Sequence, residues 1–492
     1  MQKYQLFIGG EWKDAVSGEW IDSVEPFSGT AWAQVPRGSE ADANAAVEAA
    51  HRAFVSPQWS GLSATQRGAL LRKLAALVER DAEKLGLIEQ RDNGKLISEV
   101  VVQVRNVAQW FYYYAGLADK VEGSVIPVPR GDVFNYTRYE PLGVVVAITP
   151  WNSPLGLTTW KLAPALAAGN TVVVKPSEYT SASVLELARL VEEAGFPPGV
   201  VNVVTGYGAE VGEPLVRHPK VAKIAFTGGD AGGQRVNEIA ARDLKSVTLE
   251  LGGKSPNIVF ADADLDEAVK GAVAGIFAAA GQTCMAGSRL LLQRSIHDAF
   301  VDKLQTLAAH ARIGDPSKHD TEIGPIATRA QWAKILSMIQ MAKDDGARCI
   351  LGGHALEGKE FGQGQFVAPT IFVDVKNHMR IAQEEVFGPV LSVIAFEDED
   401  EAIEIANDVD FGLAAGIWTR DLHRALYCVD RIRAGTVWVN NYRATSFATP
   451  FGGFKRSGMG REGGSEAIKE YLQVKSVWIT TQPKRGNPFI LG

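Results

Sequence analysis

Cys284 stands in the stretch GQTCMAG (281–287), between small and polar residues and just after an Ala/Gly-rich run. A cysteine is either a small buried hydrophobe or a nucleophile, and the nucleophile needs an accessible sulfur that can lose its proton. Gly281 and the pair Ala286-Gly287 leave the sulfur accessible, whereas Cys349 in GARCILGG and Cys428 in ALYCVDRI read as structural thiols. Glu250 lies inside an apolar strand, VTLELGGKSPNIVF (247–260), with Leu249 and Leu251 on either side. Burial raises a carboxyl pKa toward neutrality, which is the condition for a general base at physiological pH; an ion-paired structural glutamate fits the strand equally well. The following Gly252-Gly253 allows a ligand to approach the backbone closely. In ITPWNSP (148–154), Pro150 and Pro154 fix a loop around Asn152, whose side-chain amide is the kind of rigid donor that an oxyanion requires. The alternative is a turn bond from Asn152 to its own backbone.

Signals for a dinucleotide are more diffuse. No GxGxxG follows a strand, but FTGGDAGG (226–233) runs from a strand through glycines into a helix start, where a pyrophosphate can sit. VVVKPSE (172–178) ends a strand with Lys175 and Glu178, placed to grip a ribose from the carboxyl edge of a sheet. The eight histidines are scattered, with no HxxxH and no matching Cys/His spacing, so no metal site is expected. The glycine-rich GGFKRSGMGREGG lacks a GK[ST] and reads as a loop rather than a phosphate cradle.

The elements that must position these residues are legible from residue 143 onward. GVVVAI (143–148), TVVVKP (171–176), VVNVVTG (200–206), KIAFTG (223–228) and SVTLELGG (246–253) are apolar throughout, as strands covered on both faces are. Helical spacing between them, as in SASVLELARLVEEAG (181–195), predicts a parallel sheet wrapped by helices. A second series follows: a helix over 262–281 with acids in its first turn, a strand over 288–293, a helix over 296–311, and further strands at 369–375 and 435–441. Residues 121–140 predict a hairpin turning near Arg130-Gly131-Asp132, and EYLQVKSVWITTQ (470–482) a strand without an obvious partner nearby. Such edges invite pairing with another subunit or close locally on their own domain.

Length and composition bound the rest. A chain of 492 residues divides into two or three domains. Hydrophobic content of 46%, charged content of 22% and a net charge of −7 without a basic block suit a globular enzyme and give no nucleic-acid surface. The N-terminus lacks a signal-peptide core, and the longest apolar runs are too short and Gly-rich for a bilayer. Three scattered cysteines give no disulfide framework, so a reduced, cytoplasmic protein is expected.

In order along the chain stand PWNSP, KPSE, FTGG, LELGGKSP, GQTCMAGSR, EEVFGPV and PFGGFKRSGMGREGG. With Glu250 34 residues before Cys284, this series resembles the NAD(P)-dependent aldehyde dehydrogenase superfamily from about residue 7 to about 480. The resemblance implies an α/β fold. A Rossmann-like NAD-binding domain would take 1–120 and 142–252, and an α/β catalytic domain 253–465. A small β oligomerisation unit would take 121–141 and 466–492, and the assembly would be a dimer or a dimer of dimers. It implies that Cys284 attacks the aldehyde, that Asn152 and the Cys284 N–H hold the oxyanion, and that Glu250 activates the water that releases the acid. Lys161 and Glu462 fall at the family's proton-relay pair. Lys175, Ser177 and Glu178 match the adenosine ribose site, with Gly228 and Gly229 near the pyrophosphate. Glu385 and Phe387 match the nicotinamide ribose and ring site, and Ile148, Trp151, Thr227 and Leu251 complete the nucleotide contacts. A carboxylate at 178 favours NAD over NADP, while Lys175 offsets part of that repulsion and leaves NADP use open.

The substrate side departs from members that oxidise plain aldehydes. Ser153 stands where a bulky apolar residue is common, and Arg443 occupies the expected pocket loop, with Leu157, Trp160, Thr283 and Phe451 as further pocket residues. These two departures suggest a semialdehyde bearing a distal carboxylate; an Arg443 ion pair at a surface or subunit contact is the competing explanation. Glu250 argues against a CoA-acylating relative, whose thioester must be spared from water. Intact Cys284, Glu250 and Asn152 argue against a silent structural protein of the same fold.

Overall fold

Alternation of burial within single strands organises the molecule, seen here in a computed structural model that describes residues 1–482 together with Asn487 and Phe489. The rest of 483–492, the end of the expected oligomerisation segment 466–492, lies outside the described residues. In the strand Val144–Ile148, Val145 and Ala147 enter one hydrophobic core while Val144 and Val146 enter another on the opposite face. Thr171–Lys175 divides the same way, Val172 and Val174 against Val173. This is why the run is apolar at every residue: each face of the sheet is covered by helices.

Five strands of this sheet are parallel. Ser246–Glu250, Val221–Thr227, Val144–Ile148, Thr171–Lys175 and Val201–Val203 lie side by side. Chain order reverses between Val144–Ile148 and Val221–Thr227, and ligands of such sheets bind at the carboxyl ends beside that reversal. Leu6–Ile8 and Glu11–Lys13 extend one edge antiparallel. Gly458–Met459 extends the other, pairing antiparallel with Ser246–Glu250. The glycine-rich stretch expected to be a loop of the catalytic domain thus supplies a strand to the first sheet. It also pairs Phe454–Lys455 with Phe411–Gly412.

A second sheet orders Arg348–Leu351, Thr370–Val373, Val390–Phe396, Arg289–Gln293, Pro256–Val259, Ala414–Trp418 and Thr436–Val439, parallel except for the first. Its central strands also split between two cores, with Leu290 and Leu292 on one face and Leu291 on the other. The helix Leu265–Phe277 starts at Asp264, whose carboxylate accepts the Glu267 N–H, so the acidic first turn caps as well as meets the dipole.

The hairpin forms: Val125–Ile126 pairs with Val133–Pro141. The C-terminal strand Leu472–Thr480, for which the sequence shows no neighbour, lies along the whole of Val133–Pro141, from Leu472 opposite Pro141 to Thr480 opposite Val133. Its partner is more than 300 residues away in the chain, a pairing that no local pattern encodes. Val125, Val474 and Trp478 stay exposed on this three-stranded ribbon. The first 120 residues hold a small sheet of Gln2–Lys3, Ala31–Pro36 and Trp20–Val24. They also form the long helices Glu40–Val55, Ala64–Arg80, Ala82–Asn93 and Ile97–Leu117, which the sequence reading did not resolve. Among the described residues, no helix is long and apolar enough to cross a membrane.

Candidate active site

The carboxyl edge of the first sheet faces the segment that leads into the strand Arg289–Gln293, and the chemistry-bearing residues meet between them. Cys284 follows a backbone under strain: Ala279 (φ 55°), Ala280 (φ 51°) and Gly281 (φ 71°) are all left-handed. Such conformations cost alanine free energy and persist only where packing fixes them. Packing does so here, because a Cβ on Gly281 would collide with the Gly388 carbonyl, beside Phe387, itself left-handed at φ 57°. The Cys284 thiol is half-buried in a cavity of about 250 Å³. Burial, then Glu250 and Glu385, push its pKa up to about 12, while the backbone N–H groups of Cys284 and Met285 act in the opposite sense. At rest the sulfur is a protonated thiol and needs a base to become a nucleophile.

One carboxylate that shares this cavity is Glu250. It is the last residue of its strand rather than the middle, paired in register with Thr227, and its side chain opens into the same cavity. Both carboxylate oxygens are buried without a hydrogen-bond partner. An unpartnered buried carboxylate costs free energy, so such a group marks a functional site. Burial first, and the neighbouring Glu462 second, hold its pKa well above the usual carboxylate range, with Lys161 and Arg461 pulling it back. Behind it, Lys161 Nζ reaches Glu462 Oε1 and Thr227 Oγ1, each at 2.5 Å, with the Lys161 and Glu462 side chains essentially inaccessible to solvent.

Asn152 precedes the helix Pro154–Ala168, whose proline occupies the first turn, where its missing N–H removes no bond. One hydrogen of its Nδ2 goes to the Gln282 carbonyl at 3.0 Å. An amide has two donors, so the other remains for a ligand in the cavity. Gln282 itself is clamped, accepting from Ala327 N at 2.9 Å and donating to Pro325 O at 3.3 Å, which ties the Asn152 loop to the Cys284 loop.

All six pocket residues expected from the sequence, Ser153, Leu157, Trp160, Thr283, Arg443 and Phe451, line this one cavity with Cys284, Glu250, Asn152 and Glu462. Trp160 stacks on Trp110 (ring centroids 4.5 Å apart) and meets Phe451 edge-on (5.4 Å), forming an apolar wall. Trp110 belongs to a helical face Gln103, Val107, Trp110 of Ile97–Leu117, which the sequence reading missed because that helix was not delimited. Lys95, Gln282 and Glu89 were missed as well. For Lys95 the local signal is the helix-ending Asn93-Gly94 just before it, and Gln282 stands two residues before Cys284 in the chain.

The remaining expected residues stand along the strand ends. Ile148 lies beside Lys175 in register, and Lys175 Nζ is 3.4 Å from Glu178 Oε2, with Ser177 between them. Gly228 donates to the Glu250 carbonyl at 3.1 Å, and Gly229 precedes the helix Asp230–Ala241. A Cβ on Gly228 would sit 2.6 Å from the Phe226 ring, whereas one on Gly229 meets nothing, so the helix N-terminus is open to a ligand. Asp230 in that first turn is held by Arg456 at 2.7 Å, which offsets its repulsion of an anion. Leu251 N binds the Ser457 carbonyl. Glu385 accepts from Gly253 N at 2.9 Å and leaves no room for a side chain at Gly252, and burial raises its pKa to about 7. Trp151 and Phe387 touch edge-to-face at 5.3 Å. A carboxylate beside a lysine, an open helix N-terminus and a second carboxylate along one edge fit an extended dinucleotide. Among the described residues, no three or more His, Cys, Asp or Glu side chains converge as a metal site.

The carboxyl edge of a doubly wound sheet thus adjoins one cavity that holds a cysteine thiol, an unpartnered glutamate and an amide donor. The profile of the Aldehyde dehydrogenase family matches residues 12–477. The chain is 47% identical to (Z)-2-((N-methylformamido)methylene)-5-hydroxybutyrolactone dehydrogenase of Acinetobacter baylyi over 100% of both chains. It is 46% identical to retinal dehydrogenase 2 of Homo sapiens, over 98% of this chain and 92% of that one. Among solved structures, betaine aldehyde dehydrogenase from Staphylococcus aureus in complex with NAD+ superposes with a TM-score of 0.98 at 39% identity, covering 99% and 97% of the two chains. The chain belongs to the aldehyde dehydrogenase family, oxidoreductases that act on aldehydes with NAD.

Proposed function

We propose that this chain oxidises an aldehyde to its carboxylic acid through a thioester on Cys284, hydrolysed with Glu250 as base. The observation that carries the reading is Glu250: a buried carboxylate with two free oxygens in the cavity that also holds a protonated thiol. Glu250 takes the Cys284 proton, and the sulfur bonds to the aldehyde carbon. The oxygen, now an anion, accepts from Asn152 Nδ2 and the Cys284 N–H. NAD held along Glu178, Gly229 and Glu385 would supply the acceptor for the hydride lost from this carbon, and with that loss the oxygen held by Asn152 becomes the thioester carbonyl. Glu250 then removes a proton from water, whose oxygen displaces the Cys284 sulfur and yields the acid. Lys161, Thr227 and Glu462 carry the released proton away and set how readily Glu250 holds it.

Glu178 takes ribose hydroxyls and disfavours a 2′-phosphate, Lys175 and Ser177 support it, and the open Gly228–Gly229 turn meets the pyrophosphate. Glu385 orients the second ribose, while Trp151, Phe387, Ile148 and Leu251 enclose the ring. The exposed Val125, Val474 and Trp478 on the three-stranded ribbon support a homo-oligomer, a dimer or a dimer of dimers, closed by that edge. The domain division expected above and a cytoplasmic location belong to the same proposal.

Purified protein with NAD and a panel of aldehydes should form NADH, read by its near-ultraviolet absorbance, with one acid per NADH. A folded protein that binds NAD and turns over none of them would end the reading. Asn152→Ala should lower kcat by about 10²- to 10³-fold, the usual cost of one oxyanion donor. A loss confined to KM would instead make Asn152 a ground-state contact.

A further inference from the structure

The cavity of Cys284 has a charged end for which the oxidation chemistry has no use. Lys95 follows Gly94, the left-handed residue (φ 74°) that ends Ala82–Asn93. Its ammonium donates to Ser153 Oγ at 2.5 Å and to Gln103 Oε1 at 3.0 Å along the cavity wall. Arg443 enters from the loop after Thr436–Val439, its own backbone held left-handed at φ 68°, with one guanidinium nitrogen on the Ala274 carbonyl at 2.9 Å. The hydrogen-bond partners of both cations are thus neutral oxygens.

The two cations sit within each other's field. Burial lowers the Lys95 pKa, Glu89 and Glu99 pull it back up, Arg443 lowers it by a smaller amount, and the Cys284 sulfur acts on both basic groups. Glu99 is the acid that faces the pair, and one of its oxygens is buried without a partner rather than bridging them. Glu89 is engaged by the Leu155 N–H at 3.2 Å, and burial favours its neutral form. Lys95 and Arg443 line one cavity with their hydrogen bonds going only to neutral oxygens, and an oxyanion entering it can bridge an ammonium and a guanidinium with charge-assisted bonds.

We propose that Lys95, Arg443 and Ser153 form a seat for a carboxylate at the far end of the substrate, so that the enzyme selects short semialdehydes. This deepens the aldehyde-oxidation reading and rests on it. Ser153 matters because its small side chain leaves the seat open and gives Lys95 a fixed anchor.

The test compares kcat/KM for succinic and glutaric semialdehydes with their methyl esters, with betaine aldehyde as a cationic control. Wild-type enzyme should favour the acid over its ester by about 10- to 100-fold, the worth of one or two charge-assisted hydrogen bonds. Lys95→Gln and Arg443→Met should each cut that ratio roughly 10-fold, mainly through KM of the acid. Arg443→Glu should turn the preference toward betaine aldehyde. Turnover of ester equal to or better than acid by the wild type would overturn the seat while leaving aldehyde oxidation standing. A readout without catalysis separates the two ideas: glutarate should bind the Cys284→Ala protein in a calorimetric titration and lose that binding when Lys95→Gln and Arg443→Met are added. Glutarate binding alongside no turnover of any aldehyde would keep the seat and remove the reaction. Absence of glutarate binding to the Cys284→Ala protein would count against the seat directly.

Discussion

Cys284→Ala is expected to reduce aldehyde-dependent NADH formation by at least about 10⁴-fold, since removal of a covalent nucleophile leaves only binding and oxyanion contributions. NAD binding should be unaffected, because the proposed contacts of the cofactor run along Glu178, Gly229 and Glu385 rather than through the sulfur. Neither other cysteine can substitute: Cys428 is fully buried with its thiol pushed up to about 11, and Cys349 lies on the edge strand Arg348–Leu351, its thiol donating to the Leu351 carbonyl at 3.2 Å. The measurement is steady-state NADH production beside a titration of NAD binding. Residual activity within about 100-fold of wild type would show that the aldehyde is oxidised without a thioester.

Glu250→Gln gives the second large effect and a different kinetic shape. The glutamine keeps the size of the side chain but cannot accept a proton, so hydrolysis of the thioester should slow by about 10²- to 10⁴-fold. Rapid mixing should show one equivalent of NADH per site followed by a stall, and hydroxylamine should release the trapped acyl group. If the burst itself disappears, Glu250 is needed to deprotonate Cys284 rather than for hydrolysis alone. The pH dependence follows in sign. A carboxyl with a raised pKa is a base only above that pKa, so deacylation in wild type should rise with pH through a range above that of ordinary carboxylates. Burial raises the Glu385 pKa to about 7, and its proposed contact with the cofactor would change with pH in the same direction, so the comparison belongs on the deacylation step, where Glu250→Gln should flatten the profile.

The nearby Lys161–Glu462 pair is a poor place for such tests. Its 2.5 Å contact is almost wholly buried, and removing one partner strands the other charge at a cost of about 3–5 kcal/mol. Loss of activity in those variants would mix chemistry with folding.

Local sequence was enough for much of this protein. Strands apolar at every residue announced a sheet covered on both faces, and the cores on either side of Val144–Ile148 are the reason. Cys284, Glu250 and Asn152 could be singled out because each is chemically out of place in its own segment: a thiol among small residues, an acid in an apolar strand, an amide between prolines. Glu250 also shows the limit. Its placement within an apolar run is local information, whereas its position at the strand's end, open to the cavity, depends on Thr227 beside it and Gly458 across from it.

What only the tertiary structure decided are the pairings between distant segments. The Cys284 loop is strained because Gly388 packs against Gly281, more than 100 residues on. Leu472–Thr480 found its partner in Val133–Pro141, and Gly458–Met459 crossed to the first sheet, since edge strands pair by exposed backbone that every sequence carries alike. Lys95 and Arg443 sit 348 positions apart (443 − 95) and neither belongs to a periodic pattern. Side-chain identity fixes what a residue can do, and that is written in the chain; which charges share a cavity depends on the packing of whole helices and sheets, and that exists only once the chain has folded.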